Sequence, residues 1–225
     1  MTLLVPPRIF VNGYSRKVTG TALKRKVANP LALAVLVLLY ERPMHPYEMA
    51  ATLRERRKEE SIKLRYGSLY TVIELLVKAG FIAQNKTMRE GNRPERTVYE
   101  INKTGEAEMR AWMREILSTP SKEYPQFEAG LSLLPALPPE EVTDVLDTRM
   151  EFLKKDIEQI KAGLQQAKAM KLPALFSIES EYRLAGLETE LGFVEDLIAR
   201  IRKDGCGFLK QWKQWHAEKV PKKGK

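Results

Sequence analysis

Six side chains able to donate hydrogen bonds crowd into nine positions of this chain: Lys63, Arg65, Tyr66, Ser68, Tyr70 and Thr71. Two are fixed cations and four carry hydroxyls, a set suited to phosphate oxygens and base edges. They stand at the mouth of a periodic stretch. Counted at 3.6 residues per turn from Ser68, Leu69, Val72, Leu76 and Ala79 share one side, while Thr71, Glu74 and Lys78 lie opposite. Gly67 permits a sharp turn, Ser68 is the expected N-cap, and Gly80 sits where a helix C-terminus takes a left-handed residue. The pattern predicts a recognition helix that enters the DNA major groove. An ordinary amphipathic core helix has the same periodicity, so the surrounding elements must discriminate.

The rest of the chain offers no catalytic constellation. It has no phosphate-cradling glycine loop, no His-Glu-x-x-His, and no Ser or Cys with a histidine placed as its base, so the expectation is a non-enzyme without a cofactor. With a single cysteine, Cys206, and two distant histidines, His45 and His216, neither an intrachain disulfide nor a zinc site is expected. A reducing cytoplasm is the expected compartment. The apolar run Leu31 to Tyr40 is too short to span a bilayer and is followed by Glu-Arg-Pro rather than small residues. It reads as a buried helix, and no membrane partner is expected.

The elements before and after the periodic stretch supply its context. Asn29 and Pro30 signal a helix to about Glu41, and His45-Pro46 a second to about Lys58, with Tyr47, Met49, Ala50 and Leu53 turned inward. Two helices followed by the stretch from Gly67 give helix-turn-helix order. After Gly80 the period becomes extended. Residues 81–88 and 97–102 are expected strands, and Arg89, Arg93 and Arg96 lie in the turn-rich segment between them, a basic-tipped hairpin or wing that can meet backbone or minor groove. A hairpin with a charged tip for solubility alone would read the same. Thr104 is the expected cap of a further helix ending before Thr119-Pro120.

Charge separates the chain into parts. Of the net +9, residues 1–28 carry six basic groups and no acid, and residues 41–103 carry an excess of four basic groups. Residues 104–209 hold six more acids than bases, and residues 210–225 five more bases than acids. We therefore read 1–28 as a basic N-terminal arm, 29–118 as the reading head, 119–204 as a helical domain, and 205–225 as a basic tail. Proline-rich residues 118–139 make the boundary, with a short helix at about 127–134. Beyond Pro139, Leu146, Met150, Leu153, Ile157, Ile160 and Leu164 repeat at steps of three and four, and so do Leu184, Leu187, Leu191, Val194, Ile198 and Ile201. Pro173 parts them into an antiparallel coiled-coil hairpin. A two-helix hairpin cannot cover such stripes alone, and burying each Leu or Ile stabilises by roughly 1.5–3 kcal/mol. A homodimer is therefore expected, reading a pseudo-palindromic operator in double-stranded DNA. The fold class is mainly α with a small β-hairpin wing: a winged helix-turn-helix domain plus a C-terminal α-helical dimerisation hairpin. The alternatives are an architectural DNA-binding protein with little sequence preference, its affinity held in the tails, and a protein-interaction module built on the hairpin.

Several short segments, in this order, resemble the PadR family of bacterial transcriptional regulators: Arg42-Pro-Met-His-Pro-Tyr-Glu-Met49, Tyr66-Gly-Ser-Leu-Tyr70, Lys78-Ala-Gly-Phe-Ile82 and Val98-Tyr-Glu-Ile-Asn-Lys-Thr-Gly105. The likeness spans about residues 29–204. It implies a winged helix-turn-helix reader, a dimerisation domain of the longer subtype, and repression relieved by a small molecule, phenolic acids or hydrophobic drugs in well-known members. Carried onto matching positions, it implies that Tyr47, Ser68 and Tyr70 belong to the reading head and Arg93 and Arg96 to the wing. Pro46 replaces the usual Gly, Tyr66 stands where Pro is common, and Leu75 and Val77 stand where charges are common, offering a contact for the arm. An effector site is expected between reading head and hairpin, drawn from Trp112, Met113, Tyr124, Phe127, Leu131 and Tyr182, with Arg183 for an anion. Aromatic residues at helical spacing serve as core just as readily.

Overall fold

The computed structural model describes Arg25 and residues 27–88, 96–203 and 207–219. The chain divides into two compact units, Met1–Lys122 and Glu123–Lys225.

The first unit is built on α1, Pro30–Glu41, whose Asn29 side chain accepts from the Leu31 N–H at 2.9 Å. Its nearly unbroken apolar sequence is matched by its environment: Leu31, Ala32, Val35, Leu36 and Leu38 are fully or almost fully buried. α2, Pro46–Glu55, begins where His45 Nδ1 accepts from the Tyr47 N–H at 3.1 Å. Pro46, Met49, Ala50 and Leu53 form its inner stripe. The helix ends at Glu55 rather than running to Lys58, because Arg57 takes a left-handed φ of 53° and a short 3₁₀ turn, Lys58–Glu60, follows. α3, Tyr66–Ala79, and the antiparallel pair β1, Ile82–Met88, and β2, Arg96–Ile101, come next. The register pairs Ile82 with Ile101 and Asn85 with Val98, and it is irregular between Asn85 and Met88. Met44, between α1 and α2, pairs with Tyr99 through two backbone hydrogen bonds of 3.0 and 3.1 Å, which fastens the helices to the hairpin.

α4, Lys103–Ser118, is capped by Asn102 and not by Thr104. Asn102 suits the task because it reaches both ways: Oδ1 accepts from the Gly105 N–H and Nδ2 donates to the Gly80 carbonyl, each at 2.9 Å. One side chain thus ties the end of α3 to the start of α4. Gly105 is demanded by the same junction, since a Cβ there would lie 2.1 Å from the Phe81 carbonyl oxygen. Met109 and Trp112 of α4 complete the first core.

The second unit contains α5, Gln126–Ser132, and two long helices, α6, Pro139–Ala169, and α7, Ile178–Arg202, packed on one another. Glu140 and Glu141 occupy the first turn of α6, where carboxylates complement the helix dipole. α8, Leu209–Lys219, folds against this pair: Trp212 is buried and its Nε1 donates to the Leu137 carbonyl at 2.8 Å. Among the described residues, no helix is long and apolar enough to cross a membrane.

Candidate nucleic-acid interface

Leu69, Val72, Ile73 and Leu76 of α3 are buried in the first core, against which Val77 also packs. Packing against α1, α2 and β1 turns the other face outward, where Tyr70 is 49% exposed and Thr71, Glu74, Leu75 and Lys78 are exposed. Lys63 and Arg65 are exposed in the segment leading into the helix. Ser68 is not the N-cap: Arg65, extended at φ −130°, holds that position and the helix starts at Tyr66, so Ser68 lies in the first turn, half-buried. The Arg65 side chain makes no capping hydrogen bond at this end. Among the described residues, the first N–H of this helix to find a backbone partner is that of Leu69, to Arg65 at 3.0 Å, and those of Tyr66, Gly67 and Ser68 belong to the open first turn, next in the chain to Lys63 and Arg65. That arrangement favours an anion such as phosphate.

Thr71 differs from its sequence reading in one respect. Its Oγ1 donates to the Gly67 carbonyl at 3.0 Å, which occupies the hydroxyl's proton and leaves the oxygen able to accept. Tyr47 differs more. It was expected inside, yet it is 62% exposed, because the stripe Pro46, Met49, Ala50 and Leu53 faces the core and position 47 falls beside it. Of the wing residues, Arg89 and Arg93 lie outside the described residues, and Arg96 opens β2.

Exposed ion pairs lie at both ends of α2, on which Tyr47 sits. Arg56 donates to both carboxylate oxygens of Glu41 at 2.5 and 2.7 Å, and Arg42 meets Glu48 at 2.5 Å. The hydrogen bond from Arg56 lowers the Glu41 pKa, and that from Arg42 lowers the Glu48 pKa.

Residues 35–111 match the model of the transcriptional regulator PadR-like family. The chain carries a PadR-like domain. Bacillus subtilis PadR solved with operator DNA is 17% identical, with a TM-score of 0.62, and the match covers 77% of this chain and 99% of that one. The same protein solved with p-coumaric acid gives 16% and 0.63, covering 76% and 98%. The PadR-like regulator BC1756 of Bacillus cereus gives 14% and 0.54, covering 77% and 99%. At these identities the likeness is one of fold. No curated protein sequence gave a match.

The hairpin of the second unit departs from the expectation of stripes left open. An antiparallel pair turns its stripes toward each other, and Leu146, Leu153, Ile157, Val194, Ile198 and Ile201 are buried within the chain. Met150, Ile160, Leu164, Leu184, Leu187 and Leu191 are half-buried. Among the described residues, Val145 and Phe152 of α6 and Ile178, Tyr182 and Phe193 of α7 are the large hydrophobic side chains left exposed along these helices, and their positions fall off the three-four steps of the two stripes. The residues expected to hold an effector are spread over both units. Trp112 belongs to the first core and Met113 is 37% exposed on α4. Phe127 and Leu131 pack on the second core, the Arg149 guanidinium lies 3.7 Å from the Phe127 ring centroid, and Tyr124, Tyr182 and Arg183 are exposed. Sequence reasoning missed Asn102, whose residue type is itself a favoured N-cap just before the helical period begins, and Trp212, which had no such signal.

Proposed function

We propose that the chain is a dimeric, sequence-specific DNA-binding transcriptional regulator, a repressor relieved by a small hydrophobic or aromatic effector. The observation that carries this reading is the mouth of α3: backbone N–H groups without a side-chain cap, Lys63 and Arg65 beside them, and Tyr70 and Thr71 exposed on the next turn. The N–H groups and cations grip phosphate, and Ser68, Tyr70 and Thr71 reach base edges. Tyr47 contacts backbone, and Arg89, Arg93 and Arg96 belong to a wing that does the same. The fold supports the reading, since Bacillus subtilis PadR has been solved both with operator DNA and with p-coumaric acid.

Two heads related by a two-fold axis read a pseudo-palindrome, and Val145, Phe152 and Phe193, with the half-buried part of the stripes, supply the surface on which two hairpins meet. An effector acts by binding more tightly to the dimer whose heads are misplaced, because equal affinity for both states shifts nothing.

The test is selection of bound sites from a random DNA library, followed by competition binding. Enrichment of a palindromic site held about a thousandfold or more tightly than random DNA is expected, together with a solution mass twice 25.8 kDa. Tyr70→Ala with Ser68→Ala abolishes the preference, and Lys63→Ala lowers the salt slope by about one for every sequence alike. Binding without enrichment of any sequence would replace this reading with an architectural protein.

A further inference from the structure

Glu108, Trp112 and Glu115 stand at i, i+4 and i+7 on α4, so their side chains leave one face of the helix. Arg25, from the segment before α1, lies across all three. Its Nη1 pairs with Glu108, its Nη2 with Glu115, and its Cζ is 5.2 Å from the Trp112 ring centroid. The Arg25 side chain is only 7% exposed, whereas the two carboxylates keep 25% and 31% of their surface. A flat cation with donors on two edges is thus bound through both edges and one face. Guanidinium matches that shape, and a compact ammonium would satisfy only part of it.

Among the described residues, the groups that hold the guanidinium come from α4, and the group held comes from a different segment. Removing Arg25 therefore leaves the receptor in place. We propose that this face of α4 is a binding site for small organic guanidinium compounds, with Arg25 as its resident competitor from within the chain. The site does not rest on the DNA-reading proposal. Because a tethered occupant has an effective concentration of millimolar or more, a free ligand binds the intact protein weakly and binds far better once the tether's guanidinium is gone. Ligand entry expels Arg25, so occupancy by a ligand and occupancy by Arg25 exclude one another.

The experiment titrates benzylguanidine into the full chain by calorimetry, with benzylamine and benzyl alcohol as controls. Arg25→Ala is expected to bind benzylguanidine at least tenfold more tightly than the unaltered chain and more tightly than it binds benzylamine. Adding Glu115→Gln to that variant should lose at least tenfold. Arg25→Lys, which keeps the charge but lacks the second edge, should fall between and provides the check if Arg25→Ala does not fold. In the unaltered chain, saturating benzylguanidine should speed tryptic cleavage after Arg25, resolved by mass spectrometry. Equal affinity of the unaltered chain and the Arg25 variants, indifference to Glu115→Gln, or no binding by a folded Arg25 variant would each overturn the proposal.

Discussion

Gly105→Ala tests how the reading head is assembled. An added Cβ would stand 2.1 Å from the Phe81 carbonyl oxygen, 2.8 Å from Ile101 Cγ1 and 3.0 Å from the Phe81 carbonyl carbon. The nearest of these atoms is backbone and cannot swing aside, so α4 and the start of β1 must separate by about an ångström. That separation stretches the Asn102 bonds to the Gly105 N–H and the Gly80 carbonyl, both 2.9 Å. Forced overpacking costs about 1–3 kcal/mol, and loss of the cap adds about 1 kcal/mol. Alanine's better helix propensity returns at most about 1 kcal/mol. The expected net loss is about 2 kcal/mol, read as a lower urea midpoint at pH 7 with hydrogen exchange placing the loss in the first turn of α4. Gly163→Ala is the paired control. Gly163 lies inside α6 with nothing within 4 Å of its would-be Cβ, so the same replacement should stabilise by about 0.5–1 kcal/mol. If Gly105→Ala were neutral or stabilising while Gly163→Ala behaved as expected, the close approach of α4 to Phe81 would be wrong.

Asn102→Ala removes both reaches of one side chain and should cost about 1–2 kcal/mol in denaturant unfolding, more than Thr104→Ala, which loses no cap. Glu41 is held ionised by Arg56, so its folded pKa lies below the unfolded value and its contribution is present above the unfolded pKa of about 4.3 and lost as pH falls through the lowered one. Glu41→Gln should therefore cost under about 1 kcal/mol at pH 7, as the pair is largely exposed, and less as pH is lowered, by urea midpoints at neutral and acid pH. Trp212→Phe keeps most of the buried ring but loses the bond to the Leu137 carbonyl, which is left without its donor. A loss of about 1–2 kcal/mol with faster exchange in α8 is expected, and unchanged exchange would mean that α8 does not depend on Trp212.

The order of elements was legible because local signals fixed each one: Asn29-Pro30, His45-Pro46 and Gly80 mark helix ends by backbone chemistry that needs no partner. Their exact limits were less so. Arg57 ends α2 by turning left-handed, and Arg56 is drawn to Glu41, fifteen residues away, neither of which local propensity encodes. Likewise Ser68 reads as a cap, but an extended Arg65 lets the helix begin three residues earlier.

By itself, then, the sequence determined the three-helix-and-hairpin order, the apolar face of α3 and the donors at its mouth, because periodicity and capping act within a few residues. The tertiary structure alone decided that Tyr47 faces outward, that the two stripes of the hairpin close largely on each other, and that Arg25 reaches Glu108 and Glu115 across more than eighty residues of chain. Those outcomes depend on which faces meet when distant segments pack, and a repeat of three and four fixes only that a face exists, not what covers it.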